Sequence, residues 1–193
     1  MDPLGIDEKG NLYVKEATEI PQWAPGLTAS PEDGNGCGLL PVTFRRGISA
    51  SGFAPGREPL YATDDSMLTW WQPDQGDDHP WLQVHTGTVF ELYAARIIWR
   101  EVGLDYDSGV VPGPMRYRIA AQVQSGDWIT VLDASRNETE LTIDYRPLER
   151  VVQSNEIRLE ILEMPAGIRP GVINFTVFGL CPAAGENGYA DCM

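Results

Sequence analysis

The residues best suited to chemistry lie together in LYATDDSMLTWWQPDQGDDHPWLQVHTG, residues 60–87. Asp64 stands five positions before Thr69, Asp65 sits beside it, and Trp70 and Trp71 follow at once. A side-chain carboxylate, a hydroxyl and the backbone carbonyls of a tight loop are the donors a hard cation takes. The same residues suit a solvated acidic turn ahead of a strand, and their types alone leave both readings open. WLQV then alternates as a short half-buried strand and is expected to end at the Gly87 turn.

The elements that must position this loop read as strands. Tyr117, Ile119, Ala121 and Val123 alternate with Arg116, Arg118, Ala120, Gln122 and Gln124, the period of a half-buried strand. Ile157, Leu159 and Ile161 alternate with Arg158 and Glu160, and Ile173, Phe175 and Val177 with Asn174, Thr176 and Phe178. Ser125-Gly126-Asp127 is a hairpin turn from which Trp128 begins the return strand. Nowhere does a 3.6-residue period run between two caps, so helices are expected to be short or absent. Several short strands separated by turn signals indicate an antiparallel β-sandwich.

Composition narrows the function classes. The 193 residues suit one domain plus a short extra segment, and 42% hydrophobic residues suffice for a core. Fourteen basic against twenty-eight acidic side chains give a formal charge of −14. That field repels nucleic acid and anionic lipid surfaces, which are bound through basic side chains, and leaves neutral sugars and cations unhindered. No apolar run approaches the roughly 20 residues that span a bilayer. Catalytic motifs are missing. The two histidines, His79 and His85, have no neighbouring nucleophile, and neither HExxH, a CxxC pair nor a glycine-rich phosphate loop occurs.

Several segments, in order, carry a family resemblance. Ala62-x-Asp64, Thr69, Trp70, then WLQV and Gly87 resemble the opening of discoidin-type domains. These galactose-binding-like β-sandwiches include coagulation factor C domains and family 32 carbohydrate-binding modules. ARIIWRE is similar to the next core strand of that family, and MRYRIAAQVQSGDWITVLDASRN to its central hairpin. NEIRLEILEMPAG and VINFTVFG are similar to its last two long strands. The Met-Pro-Ala-Gly loop before a strand ending Val-Phe-Gly resembles, in particular, the sandwich appended to family 43 glycoside hydrolases. The likeness spans about residues 39–179.

The resemblance implies an antiparallel jelly roll over residues 39–180, an irregular N-terminal arm over 1–38 and a tail over 181–193. Within the arm, DEKGNLYV reads as a small hairpin turning at Lys9-Gly10. By analogy a structural calcium ion would take the Asp64 carboxylate, the Thr69 hydroxyl and carbonyl, and the Tyr61 and Ser66 carbonyls. Asn174 stands where many relatives place a glutamate, so the site should be weak or absent. Arg100, at the end of ARIIW, matches an arginine that grips sugar hydroxyls in family 32 modules. Gln72 falls where those modules often carry a ligand histidine, which puts galactose specificity in doubt. Trp70, Glu101, Asp105 and Tyr106 are secondary candidates; Arg100 could instead simply pair with Glu101 or Asp105, and Trp71 reads as core. A Cys37–Cys181 disulfide would match the clip of animal discoidin domains, against the alternative of three free thiols.

The implied function is a non-catalytic carbohydrate-binding module, the C-terminal part of a secreted family 43-like glycosidase. Its partners would be a plant or microbial polysaccharide or oligosaccharide and an upstream catalytic domain. The alternative is a discoidin-like adhesion or protein-docking domain, or a spacer without sugar affinity. The start MDPLGIDEKGN lacks the basic and apolar regions of a secretory signal, so the chain is either cytosolic or a fragment of a longer extracellular or periplasmic protein. The connector-like ASPEDGNGCG favours the fragment.

Overall fold

The computed structural model describes residues 4–6, 9, 12–14 and 39–182. The chain divides into two compact units, Met1–Leu40 and Pro41–Met193. In the first, β1 (Leu4–Ile6) and β2 (Leu12–Val14) pair as an antiparallel hairpin with Leu4 opposite Val14. Lys9 lies in its turn, where the sequence puts it. Trp23, Cys37 and Cys192 lie outside the described residues. Cys181 is disulfide-bonded.

The sandwich is built from β3 (Leu40–Pro41), β4 (Gly47–Ala50), β5 (Trp81–Trp99), β6 (Arg116–Gln122), β7 (Trp128–Asp133), β8 (Ile143–Glu163) and β9 (Val172–Leu180). A 3-10 turn, Pro59–Ala62, is the only helical element among the described residues. The two longest strands each serve both layers. Residues 82–85 of β5 pair with β4, and residues 81–85 with residues 156–160 of β8; residues 91–99 pair with β9, and residues 90–98 with residues 143–154 of β8. One layer is therefore β4-β5-β8-β6-β7 and the other β3-β9-β5-β8. Their inner faces meet in one core. Leu82, Val84, Ile119 and Leu159 come from the first layer, and Leu92, Ile97, Phe175 and Val177 from the second. Each such fully buried aliphatic side chain contributes about 1.5–3 kcal/mol.

The bend between layers corrects the expectation that the first strand stops at Gly87. His85 pairs with Glu156 and Phe90 with Ser154, so four residues of β5 stand against Asn155 alone. Extra residues on one strand bend and twist it without ending it. Gly87 supplies a left-handed backbone (φ 85°), and the Thr86 hydroxyl donates to the Thr88 carbonyl at 2.6 Å. The glycine thus marks a corner inside a 19-residue strand.

The central hairpin matches its sequence pattern in the main, except that Ala120, read on the polar side, is buried and Val123, read on the apolar side, lies half-buried beyond the strand. Tyr117, Ile119 and Ala121 are buried, Gly126 takes φ 89° in the turn, and Trp128 pairs with Gln122. A buried polar network ties this hairpin to β8. Tyr117 donates to Asp144 Oδ2 at 2.8 Å, and Arg146 Nε donates to both carboxylate oxygens at 2.8 and 3.0 Å. Burial, reinforced by the Asp144 charge, pushes the Tyr117 phenol far above its ordinary value. Strand β9 departs from expectation. Asn174 and Thr176, read as the solvent side of a half-buried strand, are only 4% and 6% exposed. Side chains of β5 and of the loops around residues 43 and 65 cover that face.

Candidate functional site

A pocket of about 390 Å3 lies where β5 ends, lined among others by Trp70, Trp99, Arg100, Glu101, Leu104 and Thr142. Backbone pairing fixes its walls. Trp71 and Val172 exchange two hydrogen bonds at 2.9 Å, and the fully buried Trp71 indole donates to the Gly52 carbonyl at 3.0 Å. Anchoring Trp71 in the core leaves Trp70 on the opposite side of the chain, toward the pocket. Trp99 donates to Thr142 and Arg100 to Gly171 through backbone bonds of 2.9 and 2.8 Å. Gly171 is required there, because an added Cβ would lie 2.8 Å from the Arg100 carbonyl oxygen.

The side chains form an aromatic and cationic stack with unsatisfied polar atoms. The Arg57 guanidinium carbon lies 3.3 Å from the Trp70 ring centroid and that of Arg100 5.2 Å away. Such contacts orient the arginines at modest energy, about 0.5–1 kcal/mol when exposed. The alternative pairing of Arg100 with Glu101 or Asp105 does not occur among the described residues. Trp70 Nε1, Trp99 Nε1 and Glu101 Oε1 are buried without a hydrogen-bond partner among the described residues. A buried donor or acceptor left unpaired costs about 1–3 kcal/mol. Two donors and one acceptor around one pocket are therefore a standing demand for a ligand or water that both accepts and donates. Burial, with the charge of Glu140 second, raises the Glu101 carboxyl above its ordinary range.

Three of the six sugar candidates thus converge: Trp70, Arg100 and Glu101. The other three lie elsewhere. Gln72 lines a separate pocket of about 190 Å3 with Asp74, Asp77, Asp78 and Arg169. The Asp105 carboxylate is absorbed by its own loop, accepting from the Asp107 and Ser108 amides at 3.1 and 3.3 Å. The Ser108 hydroxyl bond, first among these contacts, holds the Asp105 carboxyl below its ordinary value. Tyr106 is exposed and lines none of these pockets. Trp99 escaped sequence reasoning as a site residue. The likeness of ARIIWRE to a core strand marked it as core, which it also is, at 1% exposure.

The acidic loop is ordered by its own side chains. Asp64 Oδ1 accepts from the Ser66 amide at 2.9 Å, and Oδ2 from the Thr69 hydroxyl at 2.7 Å. Tyr61, in the 3-10 turn, leads the chain into this loop. Both Asp64 carboxylate oxygens are thus engaged within the loop. Asn174 is engaged differently: its Oδ1 accepts from Arg96 Nη2 at 3.4 Å and from the Thr176 hydroxyl. A guanidinium thus occupies the oxygen that the resemblance offers to calcium. Asp65, beside Asp64, is exposed, adopts φ 61° and accepts from Asn174 Nδ2 at 3.5 Å.

No family model matches the chain, and no curated protein sequence matches it. Solved structures do. The chain is similar to a chitosan-binding module of a chitosanase/glucanase from Paenibacillus sp. IK-5, with TM-score 0.60, 19% identity, and coverage of 73% of this chain and 99% of that one. It is also similar to the Clostridium perfringens module CpGH89CBM32-4 in complex with GlcNAc-α-1,4-galactose, with TM-score 0.59, 14% identity, and coverage of 75% and 96%. A family 32 module of C. perfringens NanJ, in complex with galactose, gives TM-score 0.57, 19% identity, and coverage of 72% and 97%. The fold is that of these chitosan-binding and family 32 modules, an antiparallel β-sandwich.

Proposed function

We propose that this chain is a non-catalytic carbohydrate-binding module and that the pocket of Trp70, Trp99, Arg100 and Glu101 takes a sugar. One observation carries the reading: Trp70, Trp99 and Glu101, which line a single pocket, each hold a buried polar atom with no hydrogen-bond partner among the described residues. Sugar hydroxyls donate and accept at once, so they satisfy both kinds of orphan. The Arg100 guanidinium adds planar donors, and the exposed part of Trp70 offers an aromatic surface to the apolar face of a ring. A volume of about 390 Å3 falls at the small end of ligand pockets. The fold supports the same reading, since the similar structures are named as chitosan-binding and family 32 modules.

Two finer elements belong to the proposal. The module serves an upstream family 43-like glycoside hydrolase outside the cytoplasm, a reading supported by the Met-Pro-Ala-Gly loop and the final Val-Phe-Gly strand. A weak calcium ion, if taken up by Asp64 and Thr69, stiffens the loop that leads into Trp70 and performs no chemistry. Calorimetric titration with galactose, GlcNAc-α-1,4-galactose and chitotriose, beside pull-down on insoluble polysaccharides, tests the function. Saturable binding that Arg100→Ala weakens, with an unchanged circular dichroism spectrum, is the expected result. No binding to any of these glycans would favour the docking or spacer alternative.

A further inference from the structure

The outer face of the β3-β9-β5-β8 layer carries a second cavity, of about 330 Å3, remote in chemistry from the pocket at the end of β5. Ala95, Ile97 and Trp99 of β5 point into the core, which leaves Arg96 on the outer face. There it is flanked by Thr176 on β9 and Tyr145 on β8, its register partners. Arg96 Nη2 donates to Thr176 Oγ1 at 3.2 Å and to Asn174 Oδ1 at 3.4 Å, while its Nε is buried with no partner among the described residues. Nor does any carboxylate among those residues lie within ion-pairing distance of it. In a chain with twice as many acidic as basic side chains, a half-buried guanidinium without a counter-charge stands out.

The surroundings say what would complete it. Phe44, 44% exposed, and Phe178 line the cavity, and Tyr145 packs tilted against Phe178 with centroids 5.8 Å apart. Asp65, the one acid lining the cavity, contributes a carboxylate that accepts hydroxyl donors. We propose that this cavity is a second ligand site for a carboxylated sugar, a hexuronate. The ligand carboxylate pairs with the free edge of Arg96, a ring hydroxyl donates to Asp65, and the apolar ring face rests on the aromatic border. Guanidinium–carboxylate pairs are among the strongest charge-assisted contacts, which is why the carboxylate and not a hydroxyl is assigned to Arg96. The overall negative charge opposes an anion at long range, but screening at physiological salt acts over about 8 Å, so the local charges, Arg96 facing the ligand carboxylate and Asp65 facing its hydroxyls, set the orientation.

The site is independent of the proposed sugar pocket, and its test reads the two separately. Amide spectra of the full chain are recorded with galacturonate and glucuronate, and with galactose and glucose as neutral controls. The uronates are expected to shift the amides of Asp65, Asn174 and Thr176, and the neutral sugars to leave those three unmoved. Arg96→Gln should weaken uronate binding by about ten- to a hundredfold, with Arg96→Lys recovering part of it and the Arg100 amide untouched in both. Equal shifts with neutral sugars, uronate shifts confined to the Trp70 pocket, no shifts at all, or an Arg96→Gln variant that binds as the native chain would each overturn the assignment. The native-chain map decides even if a variant folds poorly.

Discussion

Glu101→Gln is the most discriminating perturbation of the proposed sugar pocket. The Glu101 carboxylate has a buried, unpartnered oxygen, and burial and then the Glu140 charge raise its pKa. In the empty pocket the raised value means that the folded chain holds this proton more tightly than the unfolded chain. The stability it contributes is therefore present below the ordinary value of 4.5 and is lost as pH rises through the raised value. A sugar hydroxyl donating to the ionised carboxylate stabilises the charged form, so binding lowers the pKa and releases a proton in that window. Affinity should then increase as pH rises through it. One hydrogen bond to a charged group is worth about 1.5–3 kcal/mol, which corresponds to about ten- to 150-fold in Kd. Glutamine keeps the shape and a neutral acceptor, so the variant should lose affinity near the lower end of that range and lose the pH dependence entirely. Titration calorimetry from about pH 4 to 8, across the carboxylate range, in two buffers of different ionisation heat reads affinity and proton release together. If native chain and variant bind alike, with no proton release, Glu101 is not a ligand contact and the argument from unpaired atoms fails for it.

Other consequences are open to measurement. If Asp64 and Thr69 take calcium, millimolar calcium should raise the melting temperature by the equivalent of about 1–3 kcal/mol at ten- to a hundredfold excess over Kd; Asp64→Ala should abolish the difference, and identical curves with calcium and chelator would reduce the loop to a solvated turn. Asp144→Ala leaves the buried Tyr117 hydroxyl unpaired and the partly exposed Arg146 without its carboxylate, and should cost about 1–3 kcal/mol in urea denaturation; a loss below about 1 kcal/mol would mean that water replaces the carboxylate. Gly171→Ala drives a Cβ against the Arg100 carbonyl and Cβ, so it should lower both stability and sugar affinity, and unaltered affinity would show that Arg100 needs no such backing.

The sandwich was legible in the sequence because its signals are local. Period-2 alternation at Tyr117–Ile119–Ala121 and Ile157–Leu159–Ile161 and the Ser-Gly-Asp turn each act within a few residues. The continuity of β5 was not legible, since a glycine with positive φ looks the same in a bulge as in a reversing turn, and only the partner strand distinguishes them. The first half of β8 escaped for a related reason. Pro147 interrupts it, and its buried positions are Asp144, Val152 and Ser154, two of them polar. At the site, Arg100 and Glu101 directly follow the end of β5, where the resemblance set them, whereas Trp70 lies in the loop before that strand. Asp105 and Gln72 depend on loop conformation, which a side-chain hydrogen bond such as Asp105–Ser108 redirects without leaving a pattern. The burial of Asn174 was not legible either, because alternation cannot tell whether a loop lies over a sheet.

The sharing of β5 and β8 between layers makes the sandwich kinetically indivisible. Residues 81–99 must find residues 143–163 across a long intervening segment before either layer has its central pair. That closure is a non-local event, and topologies dominated by such events fold slowly, on the order of milliseconds to seconds. Once the pair has formed, both layers are nucleated together, since the same two chains run through each. A half-sandwich made by cutting between β7 and β8 would keep β5 but lose its partner along almost its whole length. Fragments divided there should fail to fold alone and should regain structure only when mixed, with a rate that depends on their concentration.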